Sequence, residues 1–329
     1  MAAPSNTTLS TTAVGNREQL SDIVSRITPE DTPIYSMAGK TKTKGTHPEW
    51  EIDALAPPGE NAQTEGDDYT FAEVPSPVRV GNYTQIFRKD WIISNTQQAV
   101  ENAGNIVKAA KAKVKKGIEI RKDFELAILT NRASVAGAKR YFGGLPSWLT
   151  TNVARNSGSN GGFNAGTGLT VAETPGTLRA FTKTLLDATM QAAYQAGANV
   201  SKAVVSPYNK SVFVTFMSDS NVASFRYSAD EKGKNTIVGT ADFYEGPFGK
   251  VMIEPNRVMS VDADRARRVF LLDPEMVDVE MLRPIQEDPD VAKTGDSTKG
   301  VIIGEGTLKV KNEAGLGVIA DVFGLTAAT

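Results

Sequence analysis

The feature that most constrains the fold lies between residues 41 and 94, where two strand-patterned runs, 47–55 and 78–93, flank a stretch rich in proline, glycine and acid at 56–77. Trp50, Ile52 and Ala54 alternate along the first run, and Tyr83, Gln85 and Phe87 along the second. A two-stranded ribbon standing alone in water is marginally stable at best. The excursion therefore has to lie on something, and another copy of the chain is expected to supply it.

Residues 1 to about 16 are rich in Thr, Ser, Asn and Ala and hold too little apolar surface to order themselves, so they read as a free arm. Leu20, Ile23, Val24 and Ile27, at helical spacing before Pro29, give that arm an anchor. Beyond the ribbon, Ser94 or Asn95 can cap a helix that starts at Thr96. Apolar or small residues at Val100, Ala103, Val107, Ala110, Val114, Gly117, Phe124 and Ile128 then predict one spine of some 35 residues, about 50 Å long. The Gly/Ser/Asn-rich segment 156–168 reads as a mobile loop. Thr174-Pro175 predicts the start of a second helix, with Leu178, Phe181, Leu185, Ala188 and Ala192 on one face and Gly197 as its stop. A strand at 203–205, a short helix after Ser206-Pro207 and a hairpin turning at Gly246-Pro247-Phe248-Gly249 make this section α+β. Strand patterns at 269–272, 276–282, 301–303, 307–311 and 316–323 predict a small antiparallel sheet at the end.

With 329 residues, 40% of them hydrophobic, the chain can bury a real core, and a net charge of −2 points to no nucleic-acid or membrane partner. The absence of cysteine excludes disulfides, thiolate nucleophiles and zinc knuckles, and suits a reducing cytoplasm. No N-terminal basic-then-apolar signal and no run of roughly 18 apolar residues is present, so the chain is expected to stay soluble and unexported. His47 is the only histidine, which leaves no histidine pair for a metal and makes any Ser/His/Asp triad depend on one residue. The glycines at 158–168 lack the Gly-Lys-Ser/Thr ending of a phosphate cradle, and residues 295–300 lack the Gly-x-Ser-x-Gly spacing of a nucleophile elbow. Asp53, Glu60, Asp67, Asp68, Asp288 and Asp290 are ionisable, but spacing sets no two of them across a substrate. No catalytic, cofactor-binding or metal site emerges, and the chain is expected not to be an enzyme.

Two charge clusters carry more information. Between His47 and Phe87 stand Glu49, Glu51, Asp53, Glu60, Glu65, Asp67, Asp68 and Glu73 against the single base Arg79. Between residues 108 and 122 stand Lys108, Lys111, Lys113, Lys115, Lys116, Arg121 and Lys122 against the single acid Glu119. Opposite signs on the two elements that most need partners suggest an intersubunit contact of Glu65, Asp67 and Asp68 with Lys111, Lys113 and Lys115; two solvated faces are the plainer reading.

The order of parts resembles the major capsid proteins of tailed bacteriophages, with the fold named after Hong Kong phage 97 (HK97-like). These share a free N-terminal arm, an extended loop, a spine helix, an inserted axial domain and return strands. Particular phrases resemble a podovirus-type branch: Asp31-Thr32-Pro33-Ile34-Tyr35, His47-Pro48-Glu49-Trp50, Leu282-Arg283-Pro284, Ala292-Lys293-Thr294-Gly295-Asp296-Ser297 and Thr307-Leu308-Lys309-Val310-Lys311-Asn312-Glu313. The resemblance implies an arm at 1–40, an extended loop at 41–93, a peripheral domain with the spine at 94–169, an axial domain at 170–272 and return strands at 273–329. It also implies an icosahedral shell of pentamers and hexamers around double-stranded DNA, built in the bacterial cytoplasm, with a portal, non-specific contact with packaged DNA and room for a decoration protein. Relatives that weld their shells use a lysine in the extended loop, and this loop has none between His47 and Phe87. The short stretch before residue 41 points to a separate scaffolding protein. An encapsulin-like nanocompartment shell is the first alternative, and a hydrolase using axial-domain carboxylates the second.

Overall fold

The computed structural model describes residues 30–69, 71–100, 109–216, 227–229, 235–237 and 242–322. The expected arm and its anchor at Leu20–Ile27 lie outside them, as does Lys108. The chain builds two apolar cores on two sheets.

The first sheet has four strands in the order Gly39–Lys42, Val277–Glu287, Ser297–Val310, Gln85–Ser94; the first pairing is parallel and the other two are antiparallel. The spine helix Ala109–Leu129 lies across one face of it. Ile120, Phe124, Ala127 and Ile128 recur at helical spacing and are all buried, with the Phe124 ring 4.7 Å from that of Phe87 and 5.4 Å from that of Phe142. Gly306 permits this close packing, because a Cβ there would come within 2.6 Å of the Met281 sulfur and 3.3 Å of Phe124. Gly304 and Gly306 interrupt the apolar alternation, so two strand patterns in the sequence, 301–303 and 307–311, are one strand in the structure. Its partner shifts register between Met281 and Arg283 and again before Gln286, around Pro284, which has no N–H to give to the ladder.

The second sheet has six strands in the order Phe243–Gly246, Gly249–Pro255, Lys202–Val205, Val269–Leu272, Gly317–Ile319, Val153–Ala154. Helices Lys183–Gln195 and Pro207–Thr215 pack on it through Leu186, Met190, Val212 and Phe213. Ser206 caps the second helix, accepting from the Asn209 N–H at 3.2 Å, with Pro207 in its first turn as expected.

Three expectations need correction. The 35-residue helix does not form. A five-residue helix, Asn95–Ala99, ends at Val100, whose φ of −63° and ψ of 134° are extended, and the spine as described begins at Ala109. Asn102, Gly104 and Asn105 follow Val100 closely in the sequence and are poor helix formers. The second helix is capped by Thr182 rather than Thr174, because Thr174 is bridged to Ser159 and Gly176 donates to Asp321 Oδ1 at 2.8 Å. Segment 156–168 is not a linker but half of a hairpin, Gly162–Asn164 with Leu169–Val171, whose Phe163 ring stacks 5.8 Å from Trp148.

Candidate functional site

The ribbon at 41–94 divides into a fixed base and an unsupported tip. At the base Glu49–Ile52 pairs with Val78–Gly81. The Trp50 indole stacks 5.5 Å from Trp148 and donates to the Val310 carbonyl at 3.0 Å, with Lys309 lying over its face. Asn82 is fully buried: it donates to the Leu308 carbonyl at 2.8 Å and accepts from the Gly143 N–H at 2.8 Å. Thr84, equally buried, donates to Glu305 at 2.8 Å. These bonds bend the chain between residues 82 and 84, so the predicted single strand 78–93 is two strands in two different sheets. The base needs no neighbour, contrary to expectation.

The tip, residues 53–77, carries no regular structure where it is described. Its internal hydrogen bonds are local, such as Asp67 N–H to the Thr64 carbonyl at 3.2 Å. Pro57, Pro58, Pro75 and Pro77 lack the N–H that a ladder needs. Within this acidic stretch Leu55, Tyr69, Phe71 and Val74 are 97%, 90%, 95% and 85% exposed. Scattered apolar side chains on a surface are ordinary. Four almost bare ones on a single segment make it a candidate interaction site.

The structure does not bring the two predicted charge clusters together within one subunit. Glu65, Asp67 and Asp68 sit on the exposed tip. Lys111, Lys113 and Lys115 sit on the first turns of the described spine, where the helix rises off its core and Val114 is 64% exposed. Lys113 pairs with Glu287 of the return strand at 2.5 Å. Lys115 is exposed and has no ion-pair partner among the described residues.

Sequence reasoning passed over the buried charges. Glu305 receives Thr84, Arg140 at 2.6 Å and Arg283 at 3.0 Å. Burial alone would push its carboxyl up, but these three partners outweigh burial and hold it below its ordinary value of 4.5. Arg283 of the Leu-Arg-Pro phrase is therefore half of an internal ion pair. A group depressed in the folded state stabilises above its unfolded pKa, and that contribution is lost as pH falls through the lower folded value. The Glu305 contribution to stability is thus expected to be constant above pH 4.5 and to be lost below it, so Glu305→Gln should show a shallower acid limb of melting temperature than wild type. A second cluster holds Arg268, 1% exposed, on Glu173 and Asp264, while Arg155 bridges Glu173 and Asp321.

His47 stacks 4.1 Å from Tyr83 with Nδ1 3.5 Å from Glu49, which is packing rather than a triad. Among the described residues no group of His, Asp and Glu could hold a metal ion, and no helix is long and apolar enough to cross a membrane.

Solved structures similar to this chain include capsid subunits. The Cyanophage A-1(L) capsid subunit aligns over 93% of this chain and 97% of its own length, at TM-score 0.64 and 13% identity. The capsid subunit of a native GTA particle aligns over 95% and 98%, at TM-score 0.57 and 12% identity, and a chain of Gordonia phage Cozz over 98% and 97%, at 0.54 and 12%. The fold is the HK97-like capsid fold, and the molecule is of the shell-subunit class. The SU10 major capsid protein family matches residues 4–323, and the chain belongs to it. Among curated proteins it is similar to the major capsid protein of Escherichia phage Phieco32, at 35% identity over 120 residues, or 36% of this chain. That match spans 34%, about a third, of the relative's length.

Proposed function

We propose that this chain is the repeating subunit of the icosahedral shell that encloses a tailed-phage double-stranded DNA genome, and that it acts by packing against copies of itself rather than by catalysis. The observation that carries this reading is the tip at 53–77, whose four bare apolar side chains and run of acids have no partner outside the tip among the described residues, while the base beneath them is locked. A repeated subunit supplies such a partner many times over. The six-stranded part, within 170–272 for most of its length, would gather around fivefold and sixfold centres. Family membership favours the phage shell over a cellular nanocompartment. Assembly in the bacterial cytoplasm with a separate scaffolding protein, a portal, packaged DNA held non-specifically and a possible decoration protein belong to the same proposal. Sedimentation at rising concentration, alone and with a co-expressed scaffold, tests it: pentamers, hexamers or closed shells are expected, and a strict monomer under both conditions contradicts it.

Within that reading the acidic tip of one subunit lies near the basic spine of a neighbour. Each exposed pair is worth only about 0 to 1 kcal/mol, and screening acts over about 8 Å at physiological ionic strength. Because reversal of Lys113 would also break its bond to Glu287, Lys115→Glu is the cleaner probe. It should slow empty-shell assembly, with partial recovery when Glu65, Asp67 and Asp68 are changed to lysine. Normal empty shells that fail only at genome packaging would instead assign the spine lysines to DNA.

A further inference from the structure

Glu125 is the one fully buried acid on the described spine helix, and its bonds go to two distant parts of the chain. The helix Pro33–Met37 has no side-chain cap from Thr32, and Pro33 has no N–H. Its next two amides, which would otherwise be orphan donors, give their hydrogens to Glu125: Ile34 to Oε1 at 3.1 Å and Tyr35 to Oε2 at 2.7 Å. From the other side Asn256 Nδ2 donates to the same Oε1 at 2.6 Å. Asn256 is itself fully buried at the end of the second sheet, where it caps the turn Arg257–Val261 by accepting from the Val258 N–H at 2.9 Å and donates its backbone N–H to the Val205 carbonyl at 2.8 Å. Arg257 and Asp31 meet nearby at 3.8 Å, and a cleft of about 460 Å3 separates the short helix from Lys202 and Glu254.

We propose that Glu125 is a clasp that ties the root of the N-terminal segment to the spine helix and to one end of the second sheet at once, so that freeing one attachment loosens the other. Both Ile34 and Asn256 bond the same oxygen, and a buried carboxylate that loses a donor has no water to replace it. Each donor therefore stabilises the geometry that serves the other. Burial raises the Glu125 carboxyl and the three donors oppose that rise, with Glu254 adding repulsion. In a shell subunit, reorienting the N-terminal segment and tilting the second sheet on the spine become one movement; this consequence rests on the capsid reading, whereas the clasp itself is tested on the free subunit.

The test is amide hydrogen exchange at single-residue resolution. In the wild type, Ile34 and Tyr35 are expected to be protected to the level of the spine core, unlike ordinary first-turn amides. Glu125→Gln keeps the shape but offers one acceptor oxygen in place of two, and should speed exchange at Ile34 and Tyr35 by roughly ten- to a hundredfold. The decisive variant is Asn256→Ser, which retains a cap acceptor, is too short to donate to Glu125 and never touches the short helix: it too should speed exchange at Ile34 and Tyr35, by about tenfold. Unprotected Ile34 and Tyr35 in the wild type, or unchanged exchange there in Glu125→Gln, overturns the clasp. Unchanged exchange at Ile34 and Tyr35 in Asn256→Ser overturns the coupling. Loss of protection throughout the spine and both sheets overturns a local device of any kind.

Discussion

Replacing Leu55, Tyr69, Phe71 and Val74 together by serine is expected to abolish assembly and to leave the isolated subunit's stability unchanged. Burying a large apolar side chain is worth about 1.5 to 3 kcal/mol, so four of them supply the main attraction of the tip for whatever covers it. The same side chains are almost wholly bare within the subunit and contribute nothing to its core. Surface substitutions away from packed features fall within about 0.5 kcal/mol of neutral. Denaturant unfolding should therefore be superimposable on wild type while sedimentation shows no particles. A variant that assembles normally would remove the tip from the contact. One that unfolds early would show that the tip serves its own subunit.

The second large effect is expected inside the subunit. Arg268→Met leaves Glu173, itself buried, with one of its two guanidinium partners gone and frees Asp264 of another. Because Glu173 keeps Arg155, the loss is that of a charge-assisted bond to a buried acid, about 1.5 to 3 kcal/mol, still a large share of a typical domain's stability. Asp264 is held low against its own burial by Arg268 and Arg267, so its carboxyl should move back towards the ordinary range in the variant. Equilibrium urea unfolding should show the loss as a lower midpoint, with Lys115→Met close to wild type as the surface control. A midpoint for Arg268→Met within error of wild type would mean that the cluster relaxes or admits water.

The sequence made the ribbon, the spine and the α+β middle legible because each rests on local periodicity. What it hid depends on distant partners. Asn82 and Thr84 split the predicted strand 78–93 because they bond Leu308, Gly143 and Glu305, none of which the local pattern can signal. Segment 156–168 has the composition of a linker, but Phe163 finds Trp148 and orders it. Glu125 and Glu305 look like surface acids in a charged helix and a glycine-rich strand; only the fold shows that they are buried and bonded. The acidic tip was legible as charge, and its four apolar side chains, standing among prolines with nothing local to pack on, were an available signal for a docking surface. The charge pairing was less legible, since Lys113 already has Glu287 within its own subunit.

Residues 53–77 are expected to complete their packing on another copy of the chain. Cryo-electron microscopy of assembled particles tests this directly. Continuous density is expected for the tip lying on an adjacent subunit, with Leu55, Tyr69, Phe71 and Val74 buried beneath it. Particles in which the tip projects into solvent, or folds back on the subunit that carries it, would contradict the claim.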